Sequence, residues 1–223
     1  STLSMIFSQT DCNIDQMQLQ YGRTDCKGSC NIKNPMSMLM DAGEANISLN
    51  LFGNVLVLDE FMATDSIGAE SEKVISDNNS AQSNPLSGIN LNLKGEYASV
   101  KYEDYRIKNA KTEIQYYQDL LKIKSFTADI NDNYLSVTGD LNSIMAYANN
   151  SARLEGNLYL KGKDFDVMKF MATEEGVSAE STSESEVFEV PTGMDINLNF
   201  DFDKILYDKW QFNNSKGHLA IAD

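Results

Sequence analysis

"LNLFGNVLVLDEFMAT" (Leu49–Thr64) lies without a gap over "LYLKGKDFDVMKFMAT" (Leu158–Thr173). The tetrapeptide FMAT closes both, at an offset of 170 − 61 = 109 positions, and Leu49/Leu158, Leu51/Leu160 and Gly53/Gly162 coincide upstream. FMAT holds no base and no metal ligand, so its repetition points to architecture rather than chemistry.

The similarity spreads in both directions. After FMAT each copy enters an acidic, Ser-rich segment, then meets Pro85 or Pro191, and then "INLNL" at Ile89 or "INLNF" at Ile196. Further on, "VKYEDYRIKNAK" (Val100–Lys111) matches "ILYDKWQFNNSK" (Ile205–Lys216) at an offset of 105, with Tyr102/Tyr207, Asn109/Asn214 and Lys111/Lys216 identical. Toward the N-terminus, Cys12, Ile14, a one-residue slip, Met17, Leu19 and Tyr21 follow the pattern of Leu121, Ile123, the slip, Phe126, Ala128 and Ile130. Such a slip is what a β-bulge produces. Cys26, Gly28 and Cys30 fall over Val137, Gly139 and Leu141 at an offset of 111. The chain is therefore a tandem repeat with a period of roughly 105–111 residues, cyclically permuted.

Within the period, alternation of apolar and polar residues dominates, as in Ile47/Leu49/Leu51, Ile89/Leu91/Leu93 and Ile196/Leu198/Phe200/Phe202. Asn, Gln, Ser, Asp and Lys fill the places between, so each strand has one apolar and one wet face, which predicts antiparallel pairing. "NDN" (Asn131–Asn133) and "YED" (Tyr102–Asp104) read as hairpin turns. The expectation is a mainly β fold, a β-rich α+β arrangement of curved antiparallel sheet built from two permuted repeats of about five strands. Short helices are expected on its apolar face. They are Leu141–Asn149, its counterpart behind Pro35 carrying Met36, Leu39 and Met40, and the "DFDVMKFMAT" stretch with Asp164 as N-cap. Phe61, Met62, Phe170 and Met171 are expected to rest on the sheet. The divisions are 1–88, a partial first repeat with an acidic loop at 65–84; 89–192, a second repeat with a Ser/Glu loop at 174–189; and 193–223, the start of a third.

The net charge of −15 repels phosphate backbones, which argues against nucleic acid as a partner and against broad docking on anionic headgroups. No run approaches the ~20 apolar residues of a spanning helix. Cys12, Cys26 and Cys30 stand where the other copy has apolar residues, and read as small hydrophobes; a zinc site would need four N/S ligands, and His218 is the lone histidine. The acidic segments lack the alternating ligand text of a calcium loop. Asp201 and Asp203 alternate with Phe200 and Phe202 and read as the wet face of a strand. Tyr97, Tyr102, Tyr105, Tyr116, Tyr117 and Trp210 suit strands, and a stacking platform for sugars is the functional alternative. No G-x-S-x-G, phosphate loop or H-E-x-x-H is present, so no catalytic, cofactor-binding or metal residue is assigned, no cofactor is expected, and the chain is read as a non-enzyme.

"EGNLYLKGKDFDVMKFMATEEG" and "VPTGMDINLNFDFDKILYDKWQFNNSKGHLAIAD" together resemble the C-terminal region of AsmA-like proteins of the Gram-negative cell envelope. Phe165, Asp166, Phe170, Met171, Val190, Pro191, Tyr207, Asp208, Asn214, Lys216 and Gly217 carry the resemblance. It implies a periplasmic segment of a protein anchored in the inner membrane, with a role in outer-membrane assembly. It also implies kinship with TamB and chorein-type proteins, whose β-groove repeats transport lipid by letting phospholipid acyl chains slide along concave apolar faces. The competing expectation is a non-enzymatic periplasmic scaffold that binds an envelope protein or glycan. Sequence leaves open whether the short helices seal the apolar face.

Overall fold

A computed structural model describes residues 3–8, 10–40, 43–62, 88–103, 105–171 and 192–222; the two acidic segments and the Ala-Thr half of each FMAT lie outside these. In chain order the strands are β1 (Leu3–Phe7), β2 (Asp11–Tyr21), β3 (Thr24–Lys33), β4 (Ala45–Val57), β5 (Ile89–Tyr102), β6 (Tyr105–Tyr117), β7 (Leu120–Ile130), β8 (Asn133–Asn142), β9 (Leu154–Asp166), β10 (Met194–Tyr207) and β11 (Trp210–Ala222). Four short helices intervene: α1 (Pro35–Met40), α2 (Asp59–Met62), α3 (Ile144–Ala148) and α4 (Val167–Met171). All eleven strands form one open, curved sheet in strict chain order, so every strand lies beside its sequence neighbours.

Most joints are tight hairpins, and their chemistry is local. Tyr117 pairs with Leu120 across Gln118 and Asp119, and Ile130 pairs with Asn133 across Asn131 and Asp132. All four turn residues have positive φ, between 47° and 64°. That is the left-handed geometry that lets a two-residue turn match the twist of its strands. The slips predicted between Ile14 and Met17 and between Ile123 and Phe126 are both register shifts in the sheet.

Two of the ten pairings depart from the antiparallel expectation: β4 runs parallel to β5, and β9 parallel to β10. These are the joints that carry α2 or α4 followed by an acidic segment, and a parallel neighbour requires such a long return. The same device opens both, with the Ala45 N–H donating to the Gly88 carbonyl (2.8 Å) and the Leu154 N–H to that of Gly193 (2.9 Å). The two glycines have φ of 72° and 77°, a conformation open to glycine at no steric penalty.

The helices are shorter than the sequence pattern suggests. Leu141 and Asn142 belong to β8, and Asp164 belongs to β9. Asp166 is the residue that caps α4, its carboxylate accepting the Lys169 N–H at 3.2 Å. No side chain of α3's own N-cap Ser143 serves α3. Asp119, in the β6–β7 turn, accepts the Met145 N–H at 2.7 Å instead.

Packing is thin. Among the described residues twelve hydrophobic side chains are buried, three of them alanines. The one buried cluster, Tyr97, Val100, Ala110 and Ala128, sits mid-sheet with Leu56, Ile107, Phe126 and Ile130 against it. A second sheet or helical layer would bury far more. Among the described residues the apolar face of this sheet has none.

Candidate functional site

Cross-strand register turns the alternation of single strands into continuous apolar rows. One row runs Cys12–Ile32–Ile47–Leu91–Tyr116–Leu121–Leu141–Gly156–Ile196–Ile221, from β2 to β11. The next runs Ile14–Cys30–Leu49–Leu93–Ile114–Ile123–Gly139–Leu158–Leu198–Leu219. A third contains Met17, Leu51, Phe126, Val137, Leu160 and Phe200, and a fourth Tyr97, Ala110, Ala128, Leu135 and Phe202. Neighbouring strands lie about 4.8 Å apart and alternate residues about 6.6 Å, so the face measures about 43 Å across strands and about 20 Å along them.

Burial follows the same phase. Along β4, Ile47, Leu49 and Leu51 are half-buried while Asn46, Ser48 and Asn50 are exposed, and β5 repeats this with Leu91 and Leu93 against Asn92 and Lys94. With no covering layer among the described residues, what shields these apolar side chains is crowding against their neighbours on adjacent strands.

The helices touch this face at its margins. Helix α1 meets β4 and α3 meets β9 near the strand starts; α4 meets β9 and β10 near the opposite ends. There Phe170 packs on Phe165 (ring centroids 5.2 Å) and Phe165 on Phe202 (4.9 Å). Helix α4 is held by the β7–β8 turn, where Asn131 donates its amide N–H to the Phe170 carbonyl (3.0 Å). Helix α2 is held by the equivalent β2–β3 turn through a different group. Glu60 accepts the Arg23 N–H (3.0 Å) and the Thr24 hydroxyl (3.2 Å). The Arg23 N–H is foremost in holding the Glu60 carboxyl below its ordinary value.

Polar side chains at this margin also bind the backbone. Thr24 accepts the Val57 N–H (2.9 Å), and its counterpart Asn133 accepts the Asp166 N–H (2.6 Å). Asp25 accepts the N–H groups of Asn54 and Val55, which lower its carboxyl pKa.

The opposite face is wet. Glu113 lies between Lys94 (3.5 Å) and Lys124 (3.4 Å), Lys111 meets Glu96 (2.7 Å), and Lys216 meets Asp201 (3.0 Å). These exposed pairs contribute little stability each. They set paired charges across the wet face. A depression of about 530 Å³ on the wet side is lined by Asp25, Lys27, Phe52, Asn54, Glu96 and Lys111.

The residues singled out in the sequence disperse. Cys12 is buried, Cys26 and Cys30 half-buried, and all three are free thiols on the apolar rows. Burial, with Cys12 nearby, pushes the Cys30 thiol up. The register corrects their alignment. Cys30 shares its row with Gly139 rather than Leu141, and Gly28 with Val137, so the offset there is 109 rather than 111. A shift of two residues preserves the alternation, which is why the pattern alone permits it. Tyr97 and Tyr116 belong to the apolar rows, while Tyr105 and Trp210 stand at hairpin ends in separate repeats, so the aromatics do not converge on one platform. His218 lies on the wet side beside Asn197 (3.2 Å). Asp201 is engaged by Lys216 and by the Tyr159 hydroxyl (3.3 Å). Among the described residues no group of three or more His, Cys, Asp or Glu side chains could hold a metal ion.

No family model, no curated protein and no solved structure matches this chain.

Proposed function

We propose that this chain handles phospholipid acyl chains along its apolar sheet face, as a non-enzymatic, periplasmic segment of an AsmA-like protein that serves outer-membrane biogenesis. One observation carries the reading: four registered apolar rows cross the sheet, and among the described residues helices meet them only at their margins. A leaflet's hydrocarbon is about 15 Å deep, half of the ~30 Å bilayer core. An acyl chain therefore fits along the roughly 20 Å width of the strands, with further room for displacement across them. Sequential strand order makes the face continuous from one repeat into the next, which suits conduction better than a closed binding pocket does. The net charge of −15 keeps anionic headgroups off the wet face and leaves the apolar one as the place for lipid.

A photo-crosslinking amino acid at Leu91 or Leu198, both on the apolar rows, should capture radiolabelled phospholipid in cells making the full protein. The same group at exposed Asn92 or Asn199 should not. Equal capture at both pairs of sites, or none at either, would remove the proposal. The scaffold alternative makes a different prediction, since deleting residues 174–189 would then abolish capture of an envelope partner and leave lipid crosslinking unaddressed.

A further inference from the structure

We propose that the outer edge of β11 is a docking site for one further antiparallel strand written like β7, with alternating apolar residues, a one-residue slip among them, and a hydrogen-bond acceptor near its C-terminal end. Strand β11 repeats β6 at an offset of 105: Phe212 stands for Ile107, Leu219 for Ile114 and Ile221 for Tyr116. Strand β6 is paired along its whole outer edge with β7, from Ile107↔Ile130 to Tyr117↔Leu120. Among the described residues, nothing pairs with the outer edge of β11.

The decisive residue is Asn214. In β6, Asn109 has φ of 53° and forms a bulge, because Lys108 pairs with Asp129 and Lys111 with Thr127, leaving Asn109 and Ala110 opposite Ala128 alone. Asn214 has φ of 52°. Its inner neighbour does not require this, since Asn213↔Lys204 and Ser215↔Phe202 keep equal spacing on both strands. The left-handed residue is therefore shaped for an outer neighbour. Bulges also protect exposed edges from adventitious pairing, but in β6 the asparagine of the same conformation sits inside a paired ladder. The edge is otherwise poorly defended. It is thirteen residues long, carries one lysine and no proline, and presents Phe212 and Leu219 about half exposed.

The β6–β7 pairing also states what the partner strand needs. Residues like Ile130, Phe126, Ile123 and Leu121 would meet Phe212, Gly217, Leu219 and Ile221 in turn. Asn109 donates its amide N–H to Asp129 (2.7 Å), so the arriving strand should hold an acidic or amide acceptor one place before its last apolar residue.

A fluorescent peptide, LLKIKSFTADI, carries this pattern and can be titrated into the whole chain by anisotropy. Saturable one-to-one binding is expected. The peptide with Ser125 deleted loses phase and should fail to saturate, and the Asp129→Ala peptide should bind about fivefold more weakly, the weight of one hydrogen bond of about 1 kcal/mol. A chain carrying Leu219→Asp, a change at an exposed site that spares folding, should lose binding while keeping its circular dichroism. Absence of saturable binding, equal affinity for the slip-deleted peptide, undiminished binding to Leu219→Asp, or a β11-mediated dimer that excludes the peptide would each overturn the proposal.

Discussion

Asn109 and Asn214 adopt the same left-handed backbone, φ 53° and 52°, at matching points of β6 and β11, although among the described residues only Asn109 has a strand on its far side. Asn tolerates this conformation better than other non-glycine residues, which explains why the position is written as Asn twice. Asn109→Ala should lose both the backbone preference and the bond to Asp129, lowering stability by about 1–2 kcal/mol. Asn214→Ala should lose only the first and cost about half as much. Urea unfolding of the two variants measures the difference, and equal losses would show that the Asp129 bond contributes nothing.

Glu60 supplies a pH prediction. Its folded carboxyl lies below the ordinary 4.5 because the Arg23 N–H, then the Thr24 hydroxyl, bind the ionised form. Its contribution is therefore complete above 4.5 and fades as pH falls through the lowered folded value. Glu60→Gln should be less stable than the parent at neutral pH. The gap should close as pH falls through that lowered value, where the parent loses the same interaction. Thermal melts across that range test it, and a gap independent of pH would refute the assignment.

Much of this architecture is written in the one-dimensional text. A repeat of 109 positions, period-two alternation and paired slips are enough to specify strands, faces and bulges. Strand direction is not, because alternate side chains face the same way in parallel and antiparallel ladders; the parallel β4–β5 and β9–β10 joints follow only from their long returns. The register of Cys30 was equally hidden, since a shift of two residues leaves the pattern intact. The capping of α3 by Asp119 joins residues 26 apart in sequence through a turn and has no local signature. The apolar face itself was legible strand by strand. Its continuity over ten strands emerges only when the register is known.

Tyr116 is the one place where the first apolar row carries a polar burden. Its ring is 5% exposed and its hydroxyl is buried without a hydrogen-bond partner. A buried, unsatisfied hydroxyl costs about 1–3 kcal/mol, so removing it while keeping the ring should help. Tyr116→Phe is expected to raise stability by about 1 kcal/mol in urea unfolding. A loss instead would mean that an ordered water completes the hydroxyl.

Phe170 and Met171, adjacent in α4, separate packing from mere proximity. No residue of α4 is buried; Phe170 rests on the sheet as expected, Met171 does not, and the side chains of Phe61 and Met62 lie outside the described residues. Phe170 is half-buried and touches Phe165 and, at 6.2 Å, Tyr105, whereas Met171 is 68% exposed. The helix is too short to persist on its own, so its place depends on that ring and on the Asn131 bond to the Phe170 carbonyl. Phe170→Ala should cost about 2 kcal/mol, less than the 3–5 kcal/mol of a fully buried ring. Met171→Ala should change stability by less than about 0.5 kcal/mol. Equal effects in chemical denaturation would mean that the aromatic contact does not hold α4 to the margin of the sheet.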